Sequence, residues 1–91
     1  MIKVVHEPEK NRAAAYDGDK NIGESTYSPS DKFWIIDHTL VDENYGGQGI
    51  AGQLVAEIVK QARERGLKIM PLCPFAKKEF DRRPEYADIR M

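Results

Sequence analysis

A cluster of glycines in the middle of the chain is the strongest sign of chemistry in this sequence. Gly46, Gly47 and Gly49 fall within four positions, between a segment that predicts a strand and one that predicts a helix. Such a junction presents bare backbone N–H groups at the positive end of a helix dipole, which suits the binding of a phosphate. The alternative is that these glycines only allow the chain to turn.

The spacing of the glycines can be compared with two known phosphate-binding sequence patterns. Gly47, Gly49 and Gly52 match the dinucleotide pattern G-x-G-x-x-G. That pattern follows its strand directly and requires an acidic residue about 20 positions later. Here residues 43–46 intervene and residues 68–72 contain no acid, which argues against a dinucleotide site. No Gly-Lys-Ser/Thr follows the cluster, which excludes the P-loop of nucleotide hydrolases.

Three other side chains are candidates for nucleophile, acid or base. Cys73 stands between Pro71 and Pro74, so its backbone is constrained and a strand end is expected there. A thiol needs a base or local charge to become a nucleophile, and His38 is the candidate base if both face one groove. Asp37 is the third candidate, on the opposite face of the same segment. The alternatives are a small buried core cysteine and a core histidine.

Hydrophobic periodicity predicts the elements that must position these residues. Strands are predicted over residues 2–6, 12–17, 20–28 and 33–42, with 2–6 as an edge strand. The fourth is rich in aromatic and β-branched residues, which predicts a central strand covered on both faces. A period of two places one set of side chains on a single face: Trp34, Ile36, His38 and Leu40.

The second half of the chain changes to a helical period. A helix is predicted over 50–65, followed by a short buried strand over 67–72. A strand, a crossover helix and a returning strand form a right-handed unit, so the two strands should be parallel. Helical turns are expected over 75–82, and a weakly ordered tail after them. The fold class is therefore α+β, a mostly antiparallel sheet with one βαβ unit, in a single domain spanning 1–91.

The composition excludes several classes of function. A chain of 91 residues is too short for an internal cofactor cavity, so a ligand should lie in a surface groove. The 14 Lys+Arg and 15 Asp+Glu leave a net charge of -1, which predicts no nucleic-acid or membrane partner. One cysteine and two histidines make a poor zinc set, so no metal is expected. No apolar run reaches the roughly 18 residues of a membrane helix, and a cytoplasmic location is expected.

The glycine segment resembles the pyrophosphate loop of the GNAT superfamily of acyl-CoA-dependent N-acetyltransferases. The signature of that loop, Arg/Gln-x-x-Gly-x-Gly/Ala, aligns with residues 46–51 and matches at Gly49 and Ala51. Its first position is Gly46 here, which removes a side chain but no backbone N–H. The chain also resembles a small subgroup of such domains that pairs a shortened loop with a second run, Pro71-Leu72-Cys73-Pro74-Phe75. A third segment of that subgroup, His-Pro-Glu-Tyr, begins with Arg83 here.

The resemblance implies a minimal GNAT fold over nearly all of the chain, with two splayed parallel strands. Acetyl-CoA would be the acyl donor, and its pantetheine arm would pair with the backbone of Leu40 and Val41. The pyrophosphate would lie on the loop made of Gly46, Gly47, Gln48, Gly49, Ile50 and Ala51. Cys73 and His38 would be the catalytic residues.

The expected function is transfer of an acetyl group from acetyl-CoA to an amine. The acceptor amine and the oligomeric state are left open by the sequence. The alternative is a coenzyme A-binding module with little or no catalysis, which the small size and the glycine at position 46 favour.

Overall fold

The computed structural model describes residues 1–91 and contains five strands and two α-helices. Their order is β1 (Ile2–Glu7), β2 (Arg12–Asp17), β3 (Lys20–Ser28), β4 (Phe33–Val41), α1 (Ile50–Glu64), β5 (Lys68–Pro71) and α2 (Pro74–Arg82). Three short 3-10 helices cover Pro8–Lys10, Glu43–Tyr45 and Pro84–Ile89. The predicted strands and helices are confirmed, each within one residue at either end. No helix combines the length and apolar character that crossing a bilayer requires.

The strands form one mixed sheet in the order β1-β2-β3-β4-β5. The first four pair antiparallel, and β5 pairs parallel to β4. Helix α1 connects these two parallel strands, which confirms the predicted βαβ unit and the α+β fold. Strand β1 is an edge strand, as predicted, and β5 is the other edge.

The two helices cover one face of the sheet and share its hydrophobic core. Helix α1 contacts all five strands, and α2 contacts α1, β4 and β5. Leu54, Val55 and Ile58 of α1 are fully buried against Ile36 and Ile69 of the sheet. Each such side chain stabilises the fold by about 1.5–3 kcal/mol through removal of its apolar surface from water.

The opposite face of the sheet has no helix on it, so the prediction that β4 is covered on both faces is wrong. Leu40 and Leu72 are 57% and 63% exposed. Further along this face, the Arg12 guanidinium bonds to the carboxylates of Glu7 and Glu24, both at 2.7 Å. The chain therefore closes this face with a polar network between three strands rather than with a second layer.

A β-bulge at Asp37 interrupts the regular alternation of β4. Thr26 pairs with His38 and Tyr27 pairs with Ile36, which leaves Asp37 as an extra residue. The Asp37 carboxylate accepts hydrogen bonds from two β3 hydroxyl groups at 3.2 and 2.8 Å. The extra residue shifts every later side chain of β4 to the other face.

This shift corrects the predicted placement of His38. Trp34 and Ile36 point to the helices and are buried, but His38 is exposed on the helix-free face. Leu40 follows His38 onto that face. Thr39 takes the position on the helix side, where its hydroxyl lies 3.0 Å from the buried Ser25 hydroxyl. The prediction that His38 and Leu40 share a face with Trp34 is therefore wrong.

The C-terminal segment is ordered, contrary to the sequence-based prediction. Tyr86 and Ile89 are buried, and the Tyr86 ring packs 5.0 Å from that of Phe80 in α2. The Met91 N–H donates to the Ile69 carbonyl at 2.9 Å, which adds a short parallel bridge beside β5. Two buried side chains and this backbone bond fix a segment that has no strong periodicity of its own.

Candidate functional site

The glycine loop opens directly into the first turn of α1. Gly47 and Gly49 have φ values of 77° and 74°, in the left-handed region that glycine adopts without strain. Gly49 is the N-cap of α1 and provides no side-chain cap. The first helical bond runs from the Gln53 N–H to the Gly49 carbonyl at 3.2 Å. The N–H groups of residues 50–52 accordingly have no partner in the protein.

These free N–H groups lie beside a surface groove with a volume of about 770 Å³. The glycine loop and the start of α1 form one wall of the groove. Helix α2 and the residue after it form the other, with Phe75, Lys78, Arg82 and Arg83. A helix N-terminus and basic side chains across a groove together favour an anionic ligand.

The basic wall of the groove is organised around a buried carboxylate. Glu79 is 3% exposed and accepts hydrogen bonds from Arg82 Nη2 at 2.5 Å and Arg83 Nε at 3.1 Å. The hydrogen bond to Glu79 raises the pKa of the Arg83 guanidinium. Gly52 allows α1 to approach this pair, because a Cβ there would lie 3.1 Å from Glu79 Oε1.

Tyr45, just before the glycines, connects the loop to the rest of the sheet. Its hydroxyl donates to Asp17 Oδ2 at 2.6 Å, at the end of β2. This hydrogen bond raises the pKa of Tyr45 and lowers the pKa of Asp17. The loop is thus held at both sides, by α1 on one and by the β2–β3 hairpin on the other.

A gap opens between β4 and β5 next to the groove. The last paired residues are Ile36 and Pro71. The N–H groups of Leu72 and Cys73 both donate to the Ile36 carbonyl at 3.0 Å, after which the chain turns into α2. Strand β4 continues to Val41 without a partner on that side. The splayed parallel strands implied by the sequence resemblance are therefore present.

The direction of the β4 backbone determines which residues present hydrogen-bonding groups to the gap. The Asp42 N–H donates to the Ile22 carbonyl of β3 at 2.8 Å. Backbone groups alternate along a strand, so those of Leu40 also point to β3. The groups of Thr39 and Val41 point to the gap. Thr39 is thus the neighbour of Val41 on the gap edge, a residue that sequence reasoning did not select.

Cys73 lies at the closed end of the gap, at the N-cap of α2. Its side chain is 6% exposed, and its Sγ accepts a hydrogen bond from the Ala76 N–H at 3.4 Å. Thr39 Oγ1 lies 3.4 Å from Sγ, and Ser25 continues this chain of polar contacts.

The predicted pairing of Cys73 with His38 is absent. The two side chains lie on different faces of the sheet, because the bulge at Asp37 directs His38 away from the helices. The neighbour of Sγ is instead the Thr39 hydroxyl, which in turn contacts the Ser25 hydroxyl. No local signal in the sequence identifies them, since the bulge depends on pairing with β3. No group of three or more His, Cys, Asp and Glu side chains could hold a metal ion.

The fold and the loop define a small α+β domain with unpartnered backbone N–H groups at the start of its crossover helix. A family model described as GCN5-related N-acetyl-transferase matches residues 12–89. The chain therefore belongs to the GCN5-related N-acetyltransferase family.

Solved structures agree with this assignment. A GCN5-like protein from Staphylococcus aureus, solved by NMR, is 33% identical with a TM-score of 0.76. That match covers 98% of this chain and 87% of the other. A GNAT family acetyltransferase from Elizabethkingia anophelis, solved with acetyl-CoA bound, is 27% identical with a TM-score of 0.57. It matches 64% of this chain, which spans 39% of that protein.

A more distant likeness supports the fold alone. The ribosomal-protein-alanine N-acetyltransferase from Brucella melitensis is 20% identical with a TM-score of 0.64. The match covers 78% of this chain and 58% of that protein. The comparison with curated proteins found no match.

Proposed function

We propose that this protein binds acetyl-CoA and transfers its acetyl group to an amine. The observation that carries the proposal is the set of unpartnered N–H groups of residues 50–52, which face the groove at the start of α1. They are suited to the pyrophosphate of coenzyme A, because backbone donors and the helix dipole both favour negative charge. The relative from Elizabethkingia anophelis, solved with acetyl-CoA bound, supports the same ligand.

The gap between β4 and β5 is suited to the pantetheine arm. The amides of that arm would pair with the backbone of Thr39 and Val41 in the manner of an added strand. The arm would then lead from the pyrophosphate on residues 46–51 toward the closed end of the gap. The thioester would lie near Cys73, which is the only thiol of the chain.

We assign Cys73 the role of acid in a direct transfer. The amine nitrogen would attack the thioester carbonyl and form the C–N bond, the C–S bond would break, and the Cys73 thiol would give its proton to the leaving coenzyme A thiolate. The proton lost by the acylated nitrogen would pass through solvent water to the Cys73 thiolate and restore the thiol. This role agrees with the contacts of Sγ, which are one N–H and one hydroxyl and include no base. A nucleophilic Cys73 would need a base in contact or a local positive charge; His38 lies on the other face, so only the N-terminus of α2 could activate the thiol.

The test is incubation with labelled acetyl-CoA and a panel of peptide, polyamine and aminoglycoside acceptors, followed by intact-mass analysis. Wild type is expected to acetylate an amine without a stable acetyl adduct on the protein. Cys73→Ala is expected to lower kcat about 10²- to 10⁴-fold, the range for loss of a general acid, with an unchanged Kd for coenzyme A. An acetyl adduct on Cys73 would assign it as nucleophile instead.

A second candidate function is coenzyme A binding without robust catalysis. The surroundings of Cys73 favour this alternative. No titratable side chain bonds to Sγ, and the residue is only 6% exposed. Binding in calorimetry together with no transfer to any acceptor would select this alternative. Absence of binding at millimolar coenzyme A would reject both functions.

A further inference from the structure

The two walls of the groove differ in the charges they carry. Residues 45–52, which form the loop wall, contain no lysine or arginine. Every basic side chain that lines the groove comes from α2 or the residue after it, namely Lys78, Arg82 and Arg83. The loop therefore offers backbone donors only, and full positive charges come from the opposite wall.

Glu79 fixes the position of two of these charges. Burial of a lone carboxylate is costly, so Glu79 depends on its two guanidinium partners. Its Oε2 bonds to Arg82 and its Oε1 bonds to Arg83. Arg83 Nη2 lies 4.0 Å from the place that a Gly52 Cβ would occupy, which puts this guanidinium at the first turn of α1. Glu79 thus connects the basic wall to the free N–H groups of the loop.

Asp81 is the other acidic residue that lines the groove, and its charge is neutralised by cations that lie outside the groove. Asp81 accepts a hydrogen bond from Arg90 at 2.7 Å and forms a looser ion pair with Lys77 at 3.7 Å, and neither of these cations lines the groove. Hydrogen bonding to Arg90 lowers the pKa of Asp81. Lys78 makes no ion pair, and the Arg82 side chain is 67% exposed. Positive charge is therefore available to a ligand that enters the groove.

We propose that α2 and the residue after it supply the side chains that bind the phosphates of the acyl donor. Glu79 is the positioning residue that holds Arg82 and Arg83 in place. Arg82, Arg83 and Lys78 would contact the phosphates of the acyl donor, while the loop supplies neutral backbone donors. This inference rests on the proposed function and adds a specificity to it. The protein should bind acyl donors that carry all the phosphates of coenzyme A more tightly than thioesters of the pantetheine arm that lack these phosphates.

The test compares the Kd values of coenzyme A, dephospho-coenzyme A and pantetheine, measured by calorimetry at fixed ionic strength. Wild type should bind them in that order, with coenzyme A tightest. Arg83→Gln and Lys78→Gln should each raise the Kd of coenzyme A about tenfold or more, as expected for loss of a charge-assisted hydrogen bond to phosphate. Both variants should leave the Kd of pantetheine unchanged. Lys60→Gln is the matched control, with the same charge change at an exposed position of α1 outside the groove, and should retain the wild-type order.

Glu79→Gln tests the positioning role. The variant keeps the shape of the side chain but removes the charge that holds the two arginines. Glu79→Gln should raise the Kd of coenzyme A and leave the Kd of pantetheine unchanged. A purely structural loss would instead raise the Kd of all three ligands by the same factor. Equal losses for all three ligands in Glu79→Gln, or a wild-type Kd for coenzyme A in both Arg83→Gln and Lys78→Gln, would overturn the inference and leave the proposed function intact. No binding of coenzyme A to wild type would overturn both.

Discussion

Gly49→Ala tests whether the left-handed turn before α1 builds the phosphate site. Gly49 has a φ of 74°, and a Cβ added there would meet no atom within 4 Å. The cost is therefore conformational rather than steric, about 1–2 kcal/mol for a non-glycine residue in the left-handed region. Unfolding entropy scales with length, and for 91 residues it is about 0.19 kcal/mol/K. The melting temperature should fall by about 5–10 °C.

The same substitution should weaken coenzyme A binding, because relief of the strain shifts the start of α1. The N–H groups of residues 50–52 would then no longer converge on one point. Loss of a single charge-assisted hydrogen bond corresponds to about 1.5–3 kcal/mol, or roughly 10- to 100-fold in Kd. Differential scanning calorimetry and isothermal titration of coenzyme A measure the two effects separately.

Gly18→Ala is the matched control for this experiment. Gly18 lies in the β2–β3 hairpin, with a φ of 62° and open space around the position of a Cβ. Its melting temperature should fall by the same amount, while its Kd for coenzyme A stays at the wild-type value. A wild-type Kd in Gly49→Ala, or an equal loss of affinity in Gly18→Ala, would refute the assignment of the site to the glycine loop.

Two further predictions concern stability. Gly23→Ala should destabilise the fold by about 1–3 kcal/mol, an overpacking cost, because the new Cβ would lie 3.0 Å from the Leu40 carbonyl oxygen; urea unfolding of the variant and of wild type measures it. Hydrogen bonds from Tyr16 and Arg12 lower the pKa of Glu7 below 4.5, so this contribution to stability is complete above pH 4.5 and is lost as the pH falls through the lowered value. Glu7→Gln should therefore flatten the fall of unfolding free energy in acid, and an unchanged slope would count against the network.

Local sequence patterns predicted the elements well because each one carries a clear signal. The alternation in β3, the helical period from Ile50 and the glycine after α1 are properties of short windows. The parallel pairing of β4 and β5 followed from the handedness of crossover connections. The position of the glycine loop, between β4 and α1, was predicted for the same reason.

The chemistry of the site was harder to predict because it depends on pairing between distant segments. The bulge at Asp37 arises where β4 meets Thr26 and Tyr27 of β3, and no window of β4 alone contains that information. The basic wall was equally hidden. From the sequence alone, Lys78 and Arg83 look like the solvated face of a short helix. The structure shows that α1 packs closely against Glu79 at Gly52, which places these basic residues on a groove wall.

The bulge also limits the chemistry that this fold can perform. A regular β4 would have placed His38 on the helix side, where it could have served Cys73 as a base. The extra residue places Thr39 there instead, and Thr39 connects Cys73 to Ser25 through hydroxyl groups only. Hydroxyl groups of ordinary acidity orient a thiol but do not remove its proton near neutral pH. For the proposed transfer, direct attack by an already neutral amine is therefore the route that this arrangement favours, and the rate should follow a bell-shaped pH profile, because the amine must be neutral while the acid of the step is still protonated.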